Sequence, residues 1–464
     1  MGERQQPANQ PPPEPQSVDA KVRRRQRRIH HTSLAITWVA GAVALLLVIF
    51  YLGRHGTLEL TAHRELIPFL LSLVVLGIAA TVVALQPERG DIWRLVATAV
   101  SWSFVLLIAL AVLWWLIDTE VRTDIGVGAV LTSQAHVDAV LSKSLNVPPG
   151  DPTEPYLIPT GVLIQSVEFL NPNNVQVSGY IWQKYAPEVP ADIVRGFVLP
   201  EAVTEAYQAD QAYQFTTTDG ATVIGWYFHA TLRQAFRYGH YPFDRQDIAL
   251  RLWHRDFGRR VLLAPDLASY DNLDPAATPG LSHRFVYGGW TPEYSGFSYD
   301  LSEENTSFGY PVTVAQDGFP ELYFNLGIKR DFLSPFFDYV NFSIIVALLL
   351  FAVVCLTARE EETKTRFGIS TFGVLGSAGT LLFAVLLKHS QLRATIAPDQ
   401  IAYLEVLPGL LNFGILLASI NAILLASPLK LKWLEYRNNM LADLLYWPLL
   451  FGLLFGATII VFFA

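Results

Sequence analysis

Seven stretches of the chain stay apolar for roughly the twenty residues a bilayer crossing needs: 34–53, 66–86, 93–117, 338–357, 368–388, 401–426 and 444–463. Between the third and fourth lies a long polar segment, 118–337, with a different rhythm. It opens with a possible helix over 132–145, apolar at spacings of three and four. After that apolar and polar residues alternate. The alternation predicts strands over 161–170 and 175–185, joined by the turn Asn171-Pro172-Asn173-Asn174, and further strands at 222–237, 247–254, 259–264, 283–289 and 321–330. Short strands broken by Gly and Pro, with little helix, predict one compact β-sandwich. The expected fold class is therefore a membrane protein: an extracytoplasmic β-sandwich plus seven transmembrane α-helices, three N-terminal and four C-terminal.

Composition agrees. Of 464 residues, 52% are hydrophobic and 16% charged, as in membrane proteins. Charge then sets the topology. Lys21, Arg23, Arg24, Arg25, Arg27 and Arg28 crowd the approach to the first stretch and place it on the cytoplasmic side. Residues 1–33 read as a basic cytoplasmic tail whose Pro-, Gln- and Glu-rich start is disordered. Counting onward, 34–117 is a three-helix membrane region, 118–337 lies outside, and 338–464 is a four-helix membrane domain with its C-terminus outside. Lys430, Lys432 and Arg437 fall on the inner side, as the charge rule requires. The localisation expected is a plasma or bacterial inner membrane. The basic cluster has no folded region beside it that would suit nucleic acid, so membrane lipids are the expected partner. A single cysteine, Cys355, excludes a disulfide framework.

Catalytic patterns are missing. The sequence has no phosphate-binding Gly loop, no HExxH and no nucleophile elbow. His229, His240, His254 and His283 share the outside segment with several carboxylates, at spacings that match no metal motif. The chain is read as a non-enzyme without a cofactor or metal.

Several motifs from residue 160 onward fall in a telling order. Thr160-Gly161-Val162-Leu163-Ile164 is followed by Val177-Ser178-Gly179-Tyr180-Ile181-Trp182, then Tyr241-Pro242-Phe243-Asp244-Arg245-Gln246, then Gly289-Trp290-Thr291-Pro292, then Leu326-Gly327-Ile328-Lys329-Arg330, and four apolar stretches close the chain. This series, over residues 155–464, resembles the pentameric ligand-gated ion channel (Cys-loop receptor) superfamily in its bacterial form. The segment 241–246 resembles the family's signature loop. Gln234 and Ile248 stand where the animal members carry bracketing cysteines, and the first 117 residues have no counterpart in the usual architecture.

The resemblance implies a homopentamer gated by a small ligand or by protons. It implies that Tyr241, Pro242, Phe243, Asp244 and Arg330 form a coupling interface, the carboxylate pairing with the basic residue before the first pore-domain helix. The bland reading of the same residues is a surface β-turn. Stretch 368–388 would line the pore through Ser370, Gly373, Ser377, Thr380 and Ala384, with Leu375 and Leu381 as an apolar constriction. Small residues at that spacing equally suit close helix packing. Glu360, Glu361 and Glu362 would favour cations at the inner mouth, against a plain solvated turn that also holds Lys364 and Arg366. Trp182, Trp253, Trp290, Tyr294 and Tyr310 would wall a ligand site between subunits, or simply fill the sandwich core. A non-conducting membrane sensor or scaffold of the same fold is the alternative function.

Overall fold

The computed structural model describes residues 92–120, 126–145, 155–256, 261–301, 320–357, 370–396, 400–428 and 439–463. The basic tail and the first two apolar stretches, 34–53 and 66–86, lie outside the described residues. So do Tyr310 and Glu360–Glu362. The chain forms two compact bodies. One comprises 121–345 with 384–408. Among the described residues the other comprises 92–120, 346–357, 370–383, 409–428 and 439–463.

The first body is built on strands β1 (Ala129–Val130), β2 (Tyr156–Asn171), β3 (Asn174–Tyr185), β4 (Phe197–Val198), β5 (Ala202–Thr216), β6 (Thr222–Arg233), β7 (Arg245–His254), β8 (Val261–Pro265), β9 (Leu281–Tyr287), β10 (Trp290–Asp300) and β11 (Glu321–Arg330), with one helix, α1 (Gln134–Leu145), after β1. They make two sheets. One runs β1-β10-β11-β7-β4 and the other β5-β6-β3-β2-β8, with β9 also pairing with β2. Alternation decides which face of each strand is buried. Ile164, Val177, Ile181 and Phe228 from one sheet, and Ile248, Leu250, Phe324 and Leu326 from the other, are fully buried. Each such side chain contributes about 1.5–3 kcal/mol by leaving water. Contacts run from sheet to sheet: the Tyr299 hydroxyl donates to the Leu263 carbonyl at 3.0 Å, and Phe197 meets Trp226 edge-on at 5.7 Å.

The segment before β1 is tied down by Asn325, which is fully buried on β11. Its Oδ1 accepts from the Val127 amide at 3.3 Å and its Nδ2 donates to Ser298 Oγ at 2.7 Å. Gly126 and Gly128 there hold φ of 46° and 71°, the left-handed region. At Gly128 a Cβ would stand 2.2 Å from the Tyr299 carbonyl oxygen, so no side chain fits.

Among the described residues, five helices are long and apolar enough to cross a membrane: Leu95–Thr119, Leu333–Cys355, Thr371–Ala394, Tyr403–Ala426 and Met440–Phe463. They fit an integral membrane protein. Below they are α2 (Ile92–Thr119, which contains the first), α3 (Leu333–Cys355), α4 (Thr371–Ala394), α5 (Val406–Ala426) and α6 (Met440–Phe463). In the second body α2 lies on α6 through Leu95, Ala99, Met440 and Leu444. The Tyr446 hydroxyl of α6 donates to the Ala347 carbonyl of α3 at 2.7 Å, which satisfies a polar group among apolar neighbours.

Candidate functional site

The connection from β6 to β7 carries a dense set of polar contacts. Two glutamines hold it. Gln234 donates from Nε2 to the Ala249 carbonyl at 2.5 Å and accepts from the Ala249 amide at 3.3 Å. A side-chain amide thus bridges this connection to β7. Gln246, only 2% exposed, accepts from the Arg237 amide at 3.0 Å and donates to the Arg237 carbonyl and to Asp244 Oδ2, both at 2.8 Å. The turn closes with Tyr241 N–H to the Tyr238 carbonyl and Phe243 N–H to the His240 carbonyl, and the Tyr241-Pro242 peptide is cis.

Asp244 is 1% exposed. Arg330, the last residue of β11, meets it through two parallel bonds: Nε to Oδ1 at 2.6 Å and Nη2 to Oδ2 at 3.0 Å. A bidentate fork is the strong form of this pair. Its guanidinium carbon lies 4.0 Å from the Trp290 ring centre and 4.7 Å from that of Tyr241. Burial pushes the Tyr238 phenol up to about 12 and lifts the Tyr241 phenol well above its ordinary value, so both stay neutral. Tyr241, Phe243, Asp244 and Arg330 are therefore gathered in one place, with Pro242 in the turn among them.

Around this turn stand residues that sequence reasoning passed over. Gln400 clamps the connection at two points: its Oε1 accepts from the Tyr238 amide at 2.7 Å and its Nε2 donates to the Phe236 carbonyl at 2.8 Å. Arg393, in the last turn of α4, donates to the Gln400 carbonyl at 2.5 Å and to Glu405 Oε1 at 2.9 Å. His389 Nε2 lies 3.0 Å from Glu405 Oε2. The amides of Tyr403 and Leu404 donate to the carbonyls of Gly239 and Tyr241 at 2.9 and 3.0 Å. Phe243 stacks on Phe332, just before α3, at 5.0 Å. The turn is thus bonded both to the chain entering α3 and to the chain between α4 and α5. Gln400 sits in a short polar stretch between apolar spans, a weak signal that marks a loop but not a clamp.

The aromatic candidates do not converge. Trp182 lies on the six-stranded sheet, flat over Gly161, where a Cβ would come within 2.1 Å of its ring. Its indole donates to Asp266 at 2.8 Å, and Lys184 pairs with the same carboxylate at 2.8 Å. Tyr213 lies likewise over Gly225, and Tyr180 meets Tyr227 edge-on at 5.4 Å. Strand register sets Trp182 opposite Gly225 and Tyr180 opposite Tyr227, so one face of that sheet is paved with rings. Of this group only Trp182 was expected at a ligand site, and Tyr213 was hidden because β5, which carries it, was not recognised as a strand. Trp253 belongs to the other sheet, donating to Glu321 at 2.8 Å under the Arg251 guanidinium. Trp290 packs on Phe169 at 4.6 Å, and the Tyr294 hydroxyl donates to Asp247. Both are 5% exposed, and their rings are already enclosed by protein.

On α4 the small residues are accessible. Val374, Ala378, Val385 and Leu392 are its buried positions, while Ser370, Gly373, Ser377 and Thr380 are exposed and Ala384 is half-buried. At 3.6 residues per turn Leu381 falls close to the buried face, away from the small-residue stripe, and it is half-buried, as is Leu375. Ser377 and Thr380 donate to the carbonyls of Gly373 and Gly376, both at 3.0 Å.

Comparison with protein-family profiles and with curated proteins gives no match to this chain.

Proposed function

We propose that this chain is a channel-like membrane receptor of the pentameric ligand-gated type. In this reading a β-sandwich outside the membrane passes its state through the 241–246 turn to α4. The carrying observation is the docking of that turn: the buried Asp244–Arg330 fork at the entry to α3, and the Gln400 clamp backed by Arg393 of α4. A rigid turn bonded to both neighbouring membrane segments cannot shift without remaking those bonds, and an ion pair that is remade can bias two states.

The remaining parts of the reading follow from it. Five copies would surround an axis, with the exposed Ser370, Gly373, Ser377 and Thr380 as the wet face of α4. Glu360, Glu361 and Glu362 would draw cations to the inner mouth. Seven spans, with the basic tail in the cytoplasm, complete the topology, and the extra N-terminal helices would pack at the periphery. The ring-paved face of the six-stranded sheet, which includes Trp182, is a better candidate than Trp253, Trp290 or Tyr294 for a face that meets a small ligand or a neighbouring copy.

One observation favours the second reading, a non-conducting sensor or scaffold. Gly376 and Gly379 of α4 would meet nothing within 4 Å if given a Cβ, and Gly373 only its own Ser370 side chain. Bare glycines of this kind let helices from several copies close tightly on one another. Purified chain in planar bilayers decides between them. Stimulus-evoked currents that Asp244→Asn and Gln400→Ala both reduce support the receptor reading. A five-fold particle silent under pH steps and ligand screens overturns conduction and leaves the scaffold.

A further inference from the structure

The far end of β7 holds a second buried polar group. His254 is the last residue of the strand and 3% exposed. Its Nδ1 accepts from the Asp256 amide at 3.1 Å, and its Nε2 stands 3.2 Å from the Tyr185 hydroxyl. That hydroxyl has one proton, which it donates to Gln183 Oε1 at 2.5 Å, while it accepts from the Gly196 amide at 3.0 Å. The bond to His254 must therefore be donated by the imidazole. The geometry fixes the neutral Nε2–H form.

A second proton has nowhere to go. It would sit on Nδ1 and face the Asp256 N–H, donor against donor. The titratable and charged groups that face the ring are Tyr185 from β3, Arg195 from the connection to β4, and Asp256 just beyond β7. β4 offers only the Phe197 and Val198 backbone, paired with His254 and Trp253. Arg195 lies with its guanidinium carbon 4.2 Å from the Tyr185 ring centre, and it adds a like charge. Burial pulls the imidazole down to about 4; Asp256 opposes this and Arg195 reinforces it.

What the cluster holds is the chain on either side. Gly196, at φ 118°, bonds the Arg255 amide through its carbonyl at 3.0 Å, and the Val194 amide donates to Asp256 Oδ2 at 3.2 Å. The connection between β3 and β4 and the segment leaving β7 are thus pinned to each other through His254 and Tyr185.

We propose that His254 is an acid-sensitive latch: taking up a proton, it expels the Asp256 amide and frees the segments around Gly196 and Asp256 from the end of β7. The latch is a property of the β-structure and does not require conduction. Only its use as a gating stimulus rests on the receptor reading.

Hydrogen exchange of the full chain in lipid nanodiscs, corrected for intrinsic rates, tests it between pH 7.5 and 4.5. The open form of the latch, with an ordinary imidazole, outcompetes the closed one on acidification, so exchange in peptides covering 193–197 and 254–256 should rise on the order of 50-fold. His254→Gln should abolish the rise. Arg195→Gln removes the like charge, brings the closed form's imidazole nearer its ordinary value and should make the rise smaller. No rise in the wild type, or an equal rise in His254→Gln, overturns the latch. If His254→Gln fails to fold, an undiminished rise in Arg195→Gln overturns it instead. Currents recorded in parallel separate the two claims: exchange that responds without current supports the latch while counting against the receptor.

Discussion

At the Arg245 end of β7 a carboxylate and a guanidinium are buried together. At the His254 end an imidazole, a phenol and a carboxamide are buried in their neutral forms. The two ends are vulnerable in opposite ways. Asp244 and Arg330 hold each other by formal charge, so the danger there is losing one partner. His254, Tyr185 and Gln183 form a chain in which the imidazole donates to the phenol and the phenol to the carboxamide oxygen, so the danger is gaining a proton. One strand of 10 residues, roughly 33 Å long at the usual rise, joins the two.

The largest test strikes the charged end. Asp244→Asn should leave the Arg330 guanidinium buried between Trp290 and Tyr241 without its counter-charge. A cost of about 3–5 kcal/mol is expected for a half-removed buried pair. The double change Asp244→Asn with Arg330→Gln should recover part of it, because no lone charge remains. Thermal unfolding of the purified chain reads both. A single variant within about 1 kcal/mol of wild type would show the fork to be only a surface contact.

How much of this was readable beforehand depended on whether the information was local. β11 is expected over 321–330 and found over Glu321–Arg330, because its alternation is strong and both flanks are polar. The turn 171–174 is equally plain from its Asn and Pro. β5 went unseen: Ala, Gln and Tyr along Ala202–Thr216 give no apolar period, because it is an edge strand whose outer half is exposed on both faces, and pairing with β6 alone makes it a strand. β10 hid behind Pro292 and Gly296. Asp244 and Arg330 were legible through motif order, 86 residues apart. Gln400 was not, because its bonds to Phe236 and Tyr238 exist only once the chain has folded back across more than 160 residues. His254 looked like one of four scattered histidines until Tyr185 and Asp256 were placed beside it.

A smaller effect is expected at the neutral end. Tyr185→Phe keeps the ring under Arg195 but removes the hydroxyl, leaving Gln183 Oε1, the Gly196 amide and His254 Nε2–H short of a partner. Gln183 is fully buried, so water cannot easily replace the loss. About 2–3 kcal/mol at pH 7.5 is the expected cost, read from the denaturant midpoint. A neutral outcome would mean the chain of bonds is slack, and the contrast between the two ends would collapse.

The smallest and most discriminating change is at Gln400, which touches the charged end only through backbone. Gln400→Ala removes an acceptor for the Tyr238 amide and a donor to the Phe236 carbonyl. The site is half-exposed, so water can step in, and about 1 kcal/mol should be lost. Gln400→Glu is the sharper probe. A carboxylate still accepts from the Tyr238 amide, and strongly, but it cannot donate to the Phe236 carbonyl and instead repels it. If the clamp is merely structural, the glutamate should fall between wild type and alanine in thermal stability, with no other consequence. If the clamp transmits the position of the turn to α4, both variants should shift the activation midpoint in bilayer recordings by more than their stability changes explain. Arg393 holds the Gln400 carbonyl whichever side chain stands there, so the helix end remains anchored and only the link to the turn is broken.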